Sequence, residues 1–102
     1  MSTAAAALLP SPEVLREFCE RHGIAKLSLF GSALTERFGP ESDIDLLVEF
    51  LPGRKPGLFR LAGMEIELTE AVGRKVDLRT AAELSRYFRE EVLAAAVPLH
   101  VS

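Results

Sequence analysis

The chain has 102 residues, 48% hydrophobic and 26% charged, which marks one globular domain and excludes a disordered or multidomain protein. A formal net charge of −3 argues against stable nucleic-acid binding. One cysteine excludes an internal disulfide, no apolar run approaches a membrane span, and Met1 to Leu9 lacks a basic lead, so a cytoplasmic protein without signal or membrane segment is expected.

Residues 1–11 read as a disordered lead-in and 12–102 as the domain. Ser11-Pro12-Glu13 offers an N-cap, a proline for the first helical position and an acid for the first turn. Val14, Leu15, Phe18 and Cys19 recur at helical spacing until Gly23, with His22 placed to favour the negative end of the dipole. Cys19 on that apolar face reads as core. A strand is predicted over Ile24 to Phe30, then a short helix from Ser32 to Phe38, broken by Gly39-Pro40. A second strand, Ile44 to Phe50, turns Ile44, Leu46, Val48 and Phe50 inward and leaves Asp43, Asp45 and Glu49 on the other face with Leu47. Leu51 to Gly57 is a loop. Leu58, Leu61, Met64, Leu68 and Val72 mark a helix ended by Gly73, and Lys75 to Arg79 is a third strand with Asp77 outward. Thr80-Ala81-Ala82-Glu83 has the form of a capping box for a last helix running through Leu84, Phe88, Val92 and Ala96 to Pro98, with Tyr87 as a packing residue and His100 in a tail. The order α-β-α-β-α-β-α predicts an α+β fold, a small mixed sheet backed by helices.

The chemistry gathers at two points. Asp43 and Asp45 stand one residue apart where a strand begins, so their carboxylates share a face. At roughly 5 Å and an effective dielectric near 20 they repel by about 3 kcal/mol, and Mg²⁺ is the natural counter-charge because it takes carboxylate oxygens together with substrate phosphates. Gly31 and Ser32 end the preceding strand, where a glycine admits close approach to the backbone and a helical turn offers N–H groups to an anion. If the two strands are antiparallel, phosphate donors and metal ligands share one rim of the sheet. Each residue also has a plainer reading: Asp43 as a turn residue, Asp45 as surface, Asp77 as partner of Lys75 or Arg79, Gly31 as a turn and Ser32 as a cap.

Phe30-Gly31-Ser32, Ser42-Asp43-Ile44-Asp45-Leu46-Leu47-Val48-Glu49-Phe50 and Arg74-Lys75-Val76-Asp77-Leu78, in this order and spacing, resemble the signature of the nucleotidyltransferase superfamily that includes DNA polymerase β and the antibiotic adenylyltransferases. They are similar above all to its minimal nucleotidyltransferases, small single domains that are often antitoxin partners of HEPN-domain toxins. The resemblance implies the nucleotidyltransferase fold and Mg²⁺-dependent transfer of AMP from ATP to a hydroxyl. It implies Asp43 and Asp45 bridging two Mg²⁺ ions about 3.5–4 Å apart, Gly31 and Ser32 on the β- and γ-phosphates, and Asp77 as third metal ligand and orienting group or base. The acceptor it implies is a tyrosine of a HEPN-type RNase toxin.

Two alternatives stand beside this one: a non-catalytic antitoxin that acts by covering its partner, and nucleotidyl transfer to a small molecule or an RNA end. Larger relatives with small-molecule acceptors carry an extra domain, so here a folded protein partner is expected to complete the site, and a homo-oligomer is left open. The loop from Leu51 to Gly57 is expected near the active rim as part of that docking surface.

Overall fold

The computed structural model describes residues 3–102. Helix α2 (Pro12–His22) begins where expected, with the Ser11 hydroxyl accepting from the Val14 N–H, and ends at Gly23 in the left-handed region at φ 68°. Gly23 is required there twice over, because a Cβ would also meet the Arg54 side chain at 2.7 Å. Strands β1 (Ile24–Phe30) and β2 (Ile44–Phe50) pair antiparallel. Helix α3 (Leu58–Val72) then crosses over to β3 (Val76–Arg79), which lies parallel to β2, as a parallel neighbour requires.

The sheet order is β3-β2-β1-β4, where β4 is Val97–Val101. Period-2 alternation sorts its two faces. Leu27 and Leu29 of β1, Ile44, Leu46 and Val48 of β2, and Val76 and Leu78 of β3 are buried in one core with Leu15, Phe18 and Cys19 of α2 and Met64, Leu68 and Val72 of α3. Burial, with help from Glu20, lifts the Cys19 thiol to about 11, which suits a core residue rather than a nucleophile. His22 Nε2 lies 3.1 Å from Glu67 Oε1, and Arg21 grips both oxygens of the same carboxylate at 3.0 and 2.6 Å, so one glutamate of α3 ties down the end of α2.

The α+β class and mixed sheet are those expected, but five local expectations are corrected. Residues 3–8 of the supposed disordered lead-in form helix α1 (Thr3–Leu8), whose Ala5 is fully buried in the core; residues 1 and 2 lie outside the described residues. The helix expected over Ser32 to Phe38 is only a 3-10 turn, Gly31–Leu34. Thr35 ends it in extended backbone, its hydroxyl donating to the Ser32 carbonyl at 2.9 Å in local competition with a longer helix. The Thr80–Glu83 box forms, Glu83 Oε1 accepting from the Thr80 N–H and hydroxyl, but it caps a single 3-10 turn. Leu84 is extended at ψ 143°, so the last helix, α4 (Arg89–Ala95), starts five residues later. Tyr87 and Phe88, expected to pack, are exposed. Pro98 and His100 then belong to β4, antiparallel to β1, rather than to a stop and a tail. An edge strand tolerates Pro98 because one side of its ladder needs no donor.

Candidate active site

The second face of the sheet carries one row of side chains across three strands. Phe30 of β1 is in register with Asp45 of β2, and Asp45 with Asp77 of β3. Asp43 lies just before β2, at the same end of the sheet. The antiparallel return therefore brings Gly31 to Asp45 through the register of Phe30. The approach is so close that a Cβ on Gly31 would collide with the Asp45 Oδ2 and lie 3.2 Å from its Cγ. With φ at 75°, Gly31 also holds a backbone conformation that side-chain-bearing residues rarely adopt. Ser32 is half-buried in the 3-10 turn that follows; its carbonyl accepts from Thr35, and the turn is capped by Phe30 with no side-chain bond.

Electrostatics mark the row as a place short of positive charge. Burial first, then the neighbouring Asp77 and Asp43 carboxylates, raise the Asp45 carboxyl above its usual range, and Arg79 offsets part of this. Both flanking acids have cations nearby: Asp77 takes Arg79, one of the two partners its plain reading offered, while Lys75, the other, stands beside Asp43. Arg79 Nη2 donates to Asp77 Oδ2 at 3.0 Å while its Nη1 stands 3.5 Å from Glu83, and Lys75 Nζ is 4.0 Å from Asp43 Oδ2 across solvent-exposed side chains. Asp45, the central acid, is the one against the Gly31 backbone.

Among the described residues no group of three or more His, Cys, Asp or Glu is drawn together closely enough to hold a metal by itself. The donor set nevertheless fits a hard divalent ion, since Asp43, Asp45 and Asp77 offer only carboxylate oxygen, and Mg²⁺ commonly takes one or two carboxylates, several waters and the phosphates of its substrate. An ion there would relieve the repulsion that raises Asp45.

Beside Gly31 opens a cleft of about 650 Å³ lined mainly by Phe30, Leu34, Val92, Ala95 and Val97, with Glu91 the one charged residue among the described residues that line it. Its far wall is supplied by α4 and β4, elements that sequence reasoning placed only in part. The loop from Leu51 to Gly57 is not at this rim. Phe50 pairs with Ile24 at the opposite end of β2 from Asp45, so the loop that follows it lies at the other end of the sheet.

Comparison with known proteins places the chain in a family. A family model described as a nucleotidyltransferase domain matches residues 11–99. A Methanocaldococcus jannaschii protein named provisionally as a protein adenylyltransferase is 35% identical over 77 residues, covering 76% of this chain and 81% of its own. The protein adenylyltransferase MntA of Thermococcus cleftensis is 30% identical over 82 residues, covering 80% and 81%. A solved structure described provisionally as a minimal nucleotidyltransferase superposes with a TM-score of 0.70 at 34% identity, over 85% of this chain and 87% of that one. An MntA–HepT toxin–antitoxin crystal structure shares the fold, with a TM-score of 0.64 at 17% identity over 89% and 70%.

Proposed function

The chain belongs to the nucleotidyltransferase domain family and is an enzyme of that kind, and from this premise we propose that it moves AMP from ATP to a hydroxyl of a folded partner protein. The observation that carries the reading is the row Phe30–Asp45–Asp77, which lines up two carboxylates across a parallel strand pair directly against the Cβ-free backbone of Gly31. Asp43, Asp45 and Asp77 are the proposed Mg²⁺ ligands, and residues 12–102 the proposed catalytic domain. When bound, the divalent ions supply Lewis-acid stabilisation of the attacking and leaving oxygens of an in-line displacement.

The rest is work for the protein's own groups. Gly31 lets the polyphosphate approach the backbone, and Ser32 adds a hydroxyl and the N–H groups of its turn. Asp77 orients the incoming hydroxyl and accepts its proton, with Arg79 fixing one of its oxygens. The apolar cleft beside Gly31 is suited to the nucleoside, since Glu91 at its edge would repel phosphate. A bound partner brings its hydroxyl into line with the α-phosphate, so that the new oxygen–phosphorus bond forms as the bond to the β-phosphate breaks and pyrophosphate leaves, and positioning of that kind can lower a barrier by about 7–11 kcal/mol.

Protein as the acceptor is supported by the names of the two relatives, both protein adenylyltransferases. A HEPN-type toxin tyrosine as its identity follows from the resemblance of the three sequence blocks to the antitoxin group, and ATP as donor sets the proposed location in the cytoplasm. The test is co-expression with the product of the neighbouring gene and labelled ATP. An AMP adduct on that protein, at tyrosine by mass spectrometry and absent with Asp45→Asn, is expected. An unmodified partner that is still bound and silenced identifies a non-catalytic antitoxin instead. Labelling of an aminoglycoside or an RNA end moves the acceptor class.

A further inference from the structure

We infer that Arg74 is a positioning residue for Asp43: its guanidinium pins the turn that delivers this carboxylate to the Asp45–Asp77 row. The inference rests on the nucleotidyl-transfer reading of that row.

Asp43 needs an anchor that the sheet does not provide. It precedes β2, so only its C-terminal neighbour is in the strand, where the Ile44 N–H donates to the Lys75 carbonyl at 2.9 Å. Asp45 beside it carries a like charge, and its contact with Lys75 is long and solvated, a kind of pair that contributes little. On its N-terminal side lies the turn from Gly39 to Ser42, closed by the Ser42 N–H on the Gly39 carbonyl at 3.1 Å and the Gly39 N–H on the Ser42 Oγ at 3.0 Å.

Arg74 fastens that turn to the base of β3. Its Nη1 donates to the Gly39 carbonyl at 2.9 Å and to the Ser42 carbonyl at 2.6 Å, and the guanidinium lies over the Phe38 ring, 5.0 Å from the centroid. Phe38 is itself part of the core, so the platform is rigid. Asp43 is thus bracketed by one dipeptide: the Arg74 side chain holds the carbonyl before it, and the Lys75 carbonyl holds the N–H after it. Charge-assisted bonds to two carbonyls combined with stacking on a ring call for a planar, permanently charged group, which lysine cannot replace. Arg74 faces carbonyls and an aromatic ring, so it acts through Asp43 rather than on the nucleotide.

The experiment titrates Mn²⁺ into the full chain with ATP present, followed by electron paramagnetic resonance, alongside AMP transfer and metal-free melting. Arg74→Ala is expected to raise the Mn²⁺ half-saturation about 10- to 100-fold, the usual range for loss of a group that orients a metal ligand, with Arg74→Lys recovering only part. In an Asp43→Asn background the same substitution should add no further weakening. A half-saturation unchanged in Arg74→Ala, or a loss that persists undiminished beside Asp43→Asn, overturns the inference. If Arg74→Ala does not fold, Arg74→Lys and Phe38→Leu are judged by the same two criteria. Failure of the unmodified chain to bind Mn²⁺ with ATP overturns the parent reading, and with it the inference, before any Arg74 variant is compared.

Discussion

Gly31 and Asp45 occupy each other's space, and that contact makes sharp demands on both residues. Gly31→Ala places a methyl where the Asp45 carboxylate lies and forces a side-chain residue to φ 75°. The backbone term alone costs about 1–2 kcal/mol. We expect at least that loss in denaturant unfolding, together with loss of AMP transfer because Asp45 is displaced. Asp45→Asn should behave in the opposite sense toward stability. The Asp45 carboxyl is raised by burial and by Asp77 and Asp43, so the folded chain keeps its proton to higher pH than the unfolded chain does. Stability therefore falls as pH rises from the ordinary carboxylate range to the raised value, and the penalty stays in full above it. In metal-free buffer Asp45→Asn is expected to be more stable than the parent at neutral pH, with the gap closing as pH falls through that window. A variant less stable than the parent at neutral pH would show that the Asp45 carboxylate holds the fold together.

Elements announced by local chemistry were legible in the sequence, and elements defined by distant partners were not. Helix α2 carries its own start and stop in Ser11, Pro12 and Gly23, and β1 and β2 match their expected bounds because Gly23, Gly31 and the 51–57 loop punctuate them. Strand β4 has no such marks: Pro98 reads as a terminator, and only the open edge of β1 makes 97–101 a strand. The Asp43–Asp45 pair beside Gly31 was legible through period-2 alternation and antiparallel pairing, whereas Asp77 joined it only through the family resemblance. The Arg74 clamp was not legible, since it joins residues 32 and 35 positions apart across a folded interface. The misplaced 51–57 loop has a simple cause: one strand separates it from the acids, and a strand of seven residues carries the chain across the whole sheet. If β4 is integral, truncation after Ala96 removes the outer ladder of β1 and the 2.7 Å bond from the Ser102 N–H to the Ala25 carbonyl. It should also uncover the core around Leu99, which packs partly buried against it. The truncated chain is expected to lose its cooperative thermal transition; a parent-like melt would make β4 an appendage and the cleft beside Gly31 a two-element surface.

At the scale of the whole molecule, no described helix is long and apolar enough to cross a membrane, the overall balance is acidic, and the cations at the active rim, Lys75 and Arg79, stand against Asp43 and Asp77. Other basic residues are exposed at the opposite end of the sheet, where Arg54, Lys55 and Arg60 flank Leu58 and Phe59. Nucleotide binding therefore has to be carried by local geometry and a counter-ion rather than by long-range attraction, and it should depend steeply on the metal. ATP without a divalent ion meets Asp43, Asp45 and Asp77 with like charge and should leave the melting temperature nearly unchanged. ATP with Mg²⁺ at a hundred times its dissociation constant stabilises by about 2.7 kcal/mol, which for a domain of this size raises the melting temperature by roughly 10–20 °C. Chelation of the metal should return the melt to its starting point, and Asp45→Asn should show no ligand-dependent shift at all. The Mg²⁺-free arm decides the matter: if ATP alone gives the full shift, the phosphates are held by protein groups without a counter-ion, and the carboxylate row has lost its role as a metal site.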